Sequence, residues 1–159
     1  MIEYKAPFVS IDTKMHPRIF LAGGITGCPD WQAIAVQQFK DLPGEIYNPR
    51  RDNFPIDDPT AAKTQIVWEY EHLHKADHIL MWFCQDTIQP IVLYECGYHL
   101  ARGRLCRFNL FIGIEPGYSR ESDVRIQAEL SGYSLPIPHT LEALCILVQE
   151  AFRTDTYGR

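Results

Sequence analysis

The feature that most constrains the fold is the most apolar segment of the chain, residues 78–84, which lies between two segments of helical character. A run of this length suits a strand buried in a sheet, and it is far shorter than the ~20 residues that cross a bilayer. Residues 60–75 before the run predict a long helix. Residues 90–103 after it predict a second one, because Pro90 suits the first turn of a helix and Gly103 suits its end. The run is therefore predicted to be a buried strand with a helix on each side of it in the chain.

The same alternation of strands and helices continues along the chain. The other strands are predicted at residues 18–22, 45–47, 107–114 and 133–138. The other helices are predicted at residues 31–40, 122–130 and 140–153. Alternation of this kind predicts a parallel sheet covered by helices, with right-handed crossovers. We therefore expect an α/β fold: a flavodoxin-like doubly wound sheet of about five mostly parallel strands with helices on both faces.

The length and composition predict one domain without a linker. The chain has 159 residues, no internal repeat and no low-complexity segment, so we expect residues 1–159 to form a single domain. Residues 1–17 are mixed in character and carry Pro7 and Pro17, and we expect them to form an extended N-terminal arm. The formal charge of −5 and the lack of a Lys/Arg-rich run argue against a nucleic acid polymer as a partner.

The five cysteines are scattered, odd in number and never spaced as C-x-x-C. We interpret them as small buried hydrophobic side chains of a protein in a reducing compartment. The clustered ligands of a zinc site are missing, so we expect no metal site. The first residues do not have the pattern of a signal peptide, and no segment is long enough to span a membrane. These features predict a cytoplasmic protein without a membrane partner.

Polar and glycine-rich segments follow three of the predicted strands. Gly23, Gly24 and Gly27 follow the first, residues 48–52 follow the second, and Glu95 lies in the helix after the third. The carboxyl ends of parallel strands meet at one edge of the sheet, where ligands bind in folds of this class. Each segment also has a simpler explanation: a tight turn for the glycines, a solvated loop for residues 48–52, and a favourable position in the helix dipole for the glutamate. Their common edge favours a binding site.

Four segments together resemble the nucleoside 2-deoxyribosyltransferase-like family. They are Ile19–Thr26, Tyr47–Arg51, the pair Trp68-Glu69 with Ala76-Asp77, and Pro90-Ile91 with Glu95-x-Gly97-Tyr98. These segments occur in the order and with the spacing of the family, and the resemblance extends over about residues 18–130. It implies an enzyme that cleaves the N-glycosidic bond of a (deoxy)nucleoside.

The resemblance also implies a role for each candidate residue. Glu95 corresponds to the glutamate that attacks the anomeric carbon of the sugar, which suits a carboxylate nucleophile that forms a covalent glycosyl-enzyme. Glu69 stands where the family usually has an aspartate, and we expect it to assist protonation of the departing base. The residues expected to bind the base, the sugar or a 5′-phosphate are Gly23, Gly24, Thr26, Asn48, Arg50 and Arg51. Asp77 is grouped with them, as a substrate contact or as a residue that orients its neighbours.

The sequence departs from the family at two further positions. Phe20 stands where members often carry a tyrosine, and Gln89 stands where they often carry an acid. The sequence therefore does not decide whether the sugar is transferred to another base or to water. One alternative is a (deoxy)nucleoside 5′-monophosphate N-glycosidase, which would need residues that bind the phosphate. The other is a non-catalytic nucleotide-binding or sensing module on the same fold.

The resemblance further implies the partners of the protein. We expect a small-molecule nucleoside or nucleotide as substrate, and no cofactor. Members of the family are commonly oligomers whose sites are completed by a neighbour, so we expect a homo-oligomer, a dimer or larger. Tyr94, Tyr98, Phe108 and Tyr133 suit either such an interface or the core.

Overall fold

The computed structural model describes residues 1–9, 16–103 and 109–157, with 154–157 as backbone only. Its strands are β1 (Ile2–Lys5), β2 (Arg18–Gly23), β3 (Glu45–Asn48), β4 (His78–Phe83) and β5 (Asn109–Ile114). Its helices are α1 (Trp31–Phe39), α2 (Ala61–Lys75), α3 (Pro90–Arg102), α4 (Glu121–Leu130) and α5 (Leu141–Tyr157). The strands form one sheet in the order β1-β3-β2-β4-β5, and every pairing is parallel. This confirms the expected α/β fold with a flavodoxin-like doubly wound sheet.

The apolar run forms β4, which lies inside the sheet. All six of its residues are buried, as expected for a strand that is paired on both edges and covered on both faces. Its side chains alternate between two apolar clusters, with Ile79, Met81 and Phe83 in one and Leu80 and Trp82 in the other. Helices α2, α3 and α4 contribute to the first cluster, and α1 and α5 contribute to the second. Within the described ranges, none of the helices is long and apolar enough to span a membrane.

The fifth strand predicted at residues 133–138 does not form, so that prediction is wrong. The segment contains two prolines, which have no backbone N–H to offer to a sheet. It still covers the outer edge of β5: the Ile114 N–H donates to the Pro138 carbonyl at 3.0 Å, and the Ile112 N–H donates to the Tyr133 hydroxyl at 3.1 Å. This edge is therefore covered by an irregular segment instead of a strand.

The fifth strand comes from the N-terminus instead. Residues 1–17 are expected to form an extended arm, and the first part of this segment forms the edge strand β1, which pairs with β3 over four residues. All four residues of β3 are buried, and without β1 its outer row of N–H and C=O groups would be unpaired. Residues 10–15 of the arm, and residues 104–108 before β5, lie outside the described residues.

The interpretation of the cysteines is wrong for one pair. Cys28 and Cys84 form a disulfide between the loop after β2 and the end of β4. They are 56 residues apart in sequence, but β2 and β4 are neighbours in parallel register, which brings the two positions together. Cys96 and Cys145 are free and buried, as expected. Cys106 lies outside the described residues.

Candidate active site

A pocket of about 380 Å³ opens at the carboxyl edge of the sheet. It lies between the neighbouring strands β2 and β4. From β2 the chain goes on to β3 on one side of this point, and from β4 it goes on to β5 on the other side. A crevice at such a switch point is the usual ligand site of doubly wound folds. Its walls come from the loops after β2, β3 and β4, from the first turns of α3 and from α2. The fold thus brings together at one edge the segments that the sequence singled out.

Glu95 lines the pocket from the second turn of α3. Val92, Cys96 and Leu100 form the buried face of this helix, and Glu95 lies at the border of that face. The pKa of Glu95 is raised from 4.5 to about 7, first by burial and second by the charge of Glu69. The group can therefore change its ionisation state near neutral pH.

Glu69 lines the same pocket from α2. Burial raises the pKa of Glu69, while a hydrogen bond from Gln65 and the charge of Arg51 oppose that rise. Two carboxyl groups in one desolvated pocket disfavour each other's ionisation, so the pair titrates as a unit and holds a single proton over an intermediate pH range. One ionised and one neutral carboxyl group can act as a nucleophile and an acid.

The loop after β2 forms the opposite wall. Its pocket residues include all three that the sequence predicted, Gly23, Gly24 and Thr26. The Gly24 N–H donates to Gln89 Oε1, and the Gly24 carbonyl accepts from Trp31 Nε1, both at 2.9 Å. A Cβ on Gly24 would lie only 2.8 Å from the Gln89 amide carbon. Glycine is therefore required at Gly24 for the close approach of Gln89.

Gln89 is a pocket residue that sequence reasoning noted only as a departure from the family. Its φ is 54°, a left-handed conformation that is uncommon outside glycine, and the residue is 6% exposed. Besides accepting from Gly24, its amide donates to the Cys84 carbonyl at 2.6 Å. Gln89 therefore joins the loop after β2 to the end of β4, at the start of the helix that carries Glu95. The available sequence signal was its place before Pro90, where helical backbone is disfavoured.

The loop after β3 reaches the pocket through Pro49. Asn48, which was expected to contact substrate, is 2% exposed. Its side-chain amide donates to Glu3 Oε1 at 2.7 Å, and its side-chain oxygen accepts from the Arg50 N–H at 2.9 Å. Asn48 is not among the residues that line the pocket, and its hydrogen bonds hold β1 and the loop after β3 together.

The two arginines of this loop also bind protein groups. Arg50 Nε donates to Gln32 Oε1 at 2.8 Å, and its Nη2 lies 2.9–3.3 Å from three carbonyl oxygens of the loop after β2. Arg51 Nε donates to Gln65 Oε1 at 2.6 Å. The structure does not bring either guanidinium group into the lining of the pocket.

Asp77 lies at the opposite edge of the sheet from the pocket. It precedes β4, and its Oδ2 accepts from the Arg18 N–H at 2.9 Å and lies 2.8 Å from His16 Nδ1. Burial opposes ionisation, but the hydrogen bonds from His16 and Arg18 outweigh it and lower the pKa of Asp77. The carboxylate holds together the amino ends of β2 and β4.

The remaining walls of the pocket are mainly apolar. Phe20 is buried at its base, and Ile88 and Ile91 lie at its mouth, where they are more than half exposed. Surfaces of this kind suit a planar ring, and the carboxyl groups beside them suit a polar group attached to that ring. In the part of the chain that the structure describes, no group of three or more His, Cys, Asp or Glu residues could hold a metal ion.

Residues 16–108 match the model of a family described as nucleoside 2-deoxyribosyltransferase like. The matched range is more than half of the chain, and it contains every residue that lines the pocket, including Glu69 and Glu95. No curated protein matches the chain.

Proposed function

Because the chain belongs to the nucleoside 2-deoxyribosyltransferase-like family, we propose that it cleaves the N-glycosidic bond of a (deoxy)nucleoside and passes the sugar to another base or to water. The observation that carries the proposal is the pair of carboxyl groups, Glu69 and Glu95, in one desolvated pocket at the switch point of the sheet. Retaining glycoside chemistry uses two carboxyl groups in this way, one as nucleophile and the other as acid.

In the first step, the pair of carboxyl groups holds one proton and reacts in the form in which that proton is on Glu69, so that the ionised Glu95 attacks C1′ of the sugar. A bond forms between C1′ and a carboxylate oxygen, and the bond from C1′ to the base nitrogen breaks, with its electron pair staying on the nitrogen. The protonated Glu69 gives its proton to the departing base. The sugar carries positive charge in the transition state, and the Glu95 carboxylate stabilises that charge strongly because the pocket is partly desolvated.

In the second step, an acceptor attacks C1′ of the glycosyl-enzyme. Glu69, now ionised, takes a proton from the attacking nitrogen or oxygen, and Glu95 leaves as a carboxylate. An acceptor base gives transfer, and water gives hydrolysis. The apolar surfaces of Phe20, Ile88 and Ile91 bind the departing or accepting base, and the loop containing Gly23, Gly24 and Thr26 encloses the sugar and base.

The arrangement of the arginines favours a nucleoside over a 5′-monophosphate as substrate. Phosphate recognition usually relies on a guanidinium fork that is free to face the ligand. Arg50 instead binds Gln32 and three carbonyl oxygens of the loop after β2, and neither Arg50 nor Arg51 is among the residues that line the pocket. Turnover of a deoxynucleoside should therefore exceed that of its 5′-monophosphate under the same conditions.

The exposed face of α2 and α3 supports a homo-oligomer. The two helices lie side by side, joined by a hydrogen bond at 3.2 Å. Ile66, Tyr70, Ile91 and Tyr94 on this face are each more than 60% exposed, and groups of large apolar side chains are typical of interfaces. Because Ile91 also lines the pocket, a second copy on this face would close its open side.

The test of the proposed function compares the rate of base release by the wild type and by the Glu95→Gln and Glu95→Ala variants. The substrates are a panel of deoxynucleosides, and the released base is measured by chromatography. Loss of the nucleophile should reduce release by at least about a thousandfold. Glu129→Gln, on an exposed position of α4, is the matched control and should behave like the wild type. Near-normal release by either Glu95 variant would exclude Glu95 as the nucleophile. Tight nucleoside binding without release by the wild type would indicate a binding module instead.

A further inference from the structure

Gln65 connects the loop after β3 to Glu69. It lies one helical turn before Glu69 on α2, so the two side chains are neighbours on the helix surface. Its Oε1 accepts from Arg51 Nε at 2.6 Å. Its Nε2 donates to the Pro49 carbonyl at 2.8 Å and to Glu69 Oε1 at 2.8 Å. All three polar contacts of this amide are therefore made to protein groups.

The orientation of the Gln65 amide is determined by its partners. A guanidinium N–H can only donate, so the group that faces Arg51 must be the amide oxygen. The Pro49 carbonyl can only accept, so the group that faces it must be the amide nitrogen. A flipped amide would place its N–H groups against the Arg51 guanidinium and its oxygen against the Pro49 carbonyl, and neither pair can form a hydrogen bond. Gln65 must therefore present an N–H, and not an oxygen, to Glu69.

This orientation distinguishes the two oxygens of Glu69. Oε1 accepts the hydrogen bond from Gln65. Among the residues that the structure describes, Oε2 has no hydrogen-bond partner. A neutral carboxyl group whose Oε1 accepts from an amide holds its proton on the other oxygen. The proton is thus on the oxygen that accepts from no described protein group, on a residue that lines the pocket.

We infer that Gln65 is a positioning residue for the proposed reaction: it holds the Glu69 proton on Oε2, from which the proton is transferred to the departing base. The inference rests on the proposed function, in which Glu69 is the acid. In the transfer step, the Oε2–H bond breaks, the base nitrogen gains the proton, and the negative charge left on Glu69 is stabilised by the hydrogen bond from Gln65. Arg51 acts through Gln65, because it fixes the amide that contacts Glu69.

The first experiment compares Gln65→Met with the wild type across donors that differ in leaving group. Methionine keeps the length of the side chain but has no N–H to give to Glu69. We expect kcat to fall by about tenfold to a hundredfold, with KM changed less than about twofold. The loss should be larger for 2′-deoxyadenosine than for the 2′-deoxyriboside of 6-chloropurine, because the latter base leaves more readily without protonation. An equal loss on both donors would overturn the inference.

Two further variants separate this role from simple anchoring of the loop. Gln65→Glu keeps the shape and the contact to Arg51 but replaces the donor toward Glu69 with an acceptor. It should lose as much activity as Gln65→Met, and near-normal activity would contradict the inference. Gln37→Met, on an exposed position of α1, is the matched control and should retain wild-type kcat.

A measurement that needs no turnover keeps the inference testable if the enzyme activity is not found. Carbon-13 NMR titration of the glutamate carboxyl groups follows the ionisation of Glu69, on which the charge of Arg51 acts, together with that of Glu95, on which the charge of Glu69 acts. Removing the donor in Gln65→Met should raise the pKa of Glu69. An unchanged Glu69 pKa would overturn the inference by itself. Absence of base release by the wild type, with the expected NMR shift, would instead refute the proposed function and leave the hydrogen bond established.

Discussion

Burial and the neighbouring carboxyl group of Glu69 both raise the pKa of Glu95. The pKa rises from 4.5 to about 7 as the side chain leaves water and meets the charge of Glu69. A nucleophile must be ionised, so this environment makes attack on the sugar sensitive to pH in the neutral range. The same environment gives Glu69 a raised pKa, which suits an acid.

The first prediction concerns the pH dependence of activity. Above about pH 7, the value of kcat/KM should fall by about tenfold per pH unit, because the pair of Glu69 and Glu95 then loses the single proton that the departing base needs. Glu69→Gln removes the proton donor, so the small remaining activity should lose this alkaline limb and depend only on the ionisation of Glu95. The measurement is a pH–rate profile of both proteins. A wild-type profile that stays flat up to pH 9 would contradict the assignment.

The second prediction concerns stability. Unfolded Glu95 ionises near 4.5 and folded Glu95 near 7, so the folded state binds more protons between these values. Stability from this group is complete below about 4.5 and is lost as the pH rises through about 7. Glu95→Gln removes this loss and should raise the free energy of unfolding at pH 8 by on the order of 3 kcal/mol, with little gain at pH 4.5. Urea unfolding at both pH values measures it, and an equal change at both would contradict the burial of Glu95 as the cause.

Some site residues could be predicted from their own chemistry and position. Glu95, Glu69 and the Gly23–Thr26 loop line one pocket, as expected from the ends of neighbouring parallel strands. Asn48, Arg50 and Arg51 could not be assigned in this way. Their residue types can bind a substrate or a phosphate as well as they can bind other groups of the protein, and only the three-dimensional contacts decide between these partners.

At the scale of the elements, helix α3 depends on the residue just before it. Gln89 has a left-handed backbone, and its buried amide connects the loop after β2 with the end of β4. The sequence contains no pattern for this contact, because Gln89 and Gly24 are far apart in the chain and meet only when β2 and β4 pair. The edge strand β1 was missed for a related reason: its partner β3 is supplied by residues more than 40 positions away.

The third prediction tests this connection. In Gln89→Glu, a carboxylate would face the Cys84 carbonyl where the amide N–H now donates, so two acceptors would oppose each other. The variant should lose about 2 kcal/mol of unfolding free energy at neutral pH. Gln37→Glu, at an exposed position of α1, is the control and should change stability by less than about 0.5 kcal/mol. Equal stability of the two variants would show that the amide does not hold the loop.

The strands and helices themselves could mostly be predicted from apolar periodicity. β2, β3 and β4 and all five helices lie within a few residues of the ranges expected from the sequence. The segment at residues 133–138 was mistaken for a strand because its apolar residues suit one. Its prolines leave too few N–H donors for a ladder, and this local fact outweighs the apolar pattern.

At the scale of the whole molecule, the pocket combines segments that are far apart in sequence and leaves one apolar side exposed. The fourth prediction follows from the face formed by α2 and α3. The protein should elute as a dimer or larger species in size-exclusion chromatography with light scattering. Tyr94→Arg, which puts a charge on that face, should shift it toward the monomer. Ile126→Arg, on an exposed position of α4, is the control and should not. A monomeric wild type would refute the homo-oligomer.

The central claim is that Glu95 becomes covalently attached to the sugar. A nucleoside of 2-deoxy-2-fluoroarabinose tests it most directly, because the fluorine slows the second step and lets the glycosyl-enzyme accumulate. Intact mass spectrometry of the wild type should show an increase equal to one fluorosugar residue, and peptide mapping should locate it on Glu95. The Glu95→Ala variant should show no increase. Base release without an adduct, or an adduct on a different residue, would contradict the assignment of Glu95 as the nucleophile.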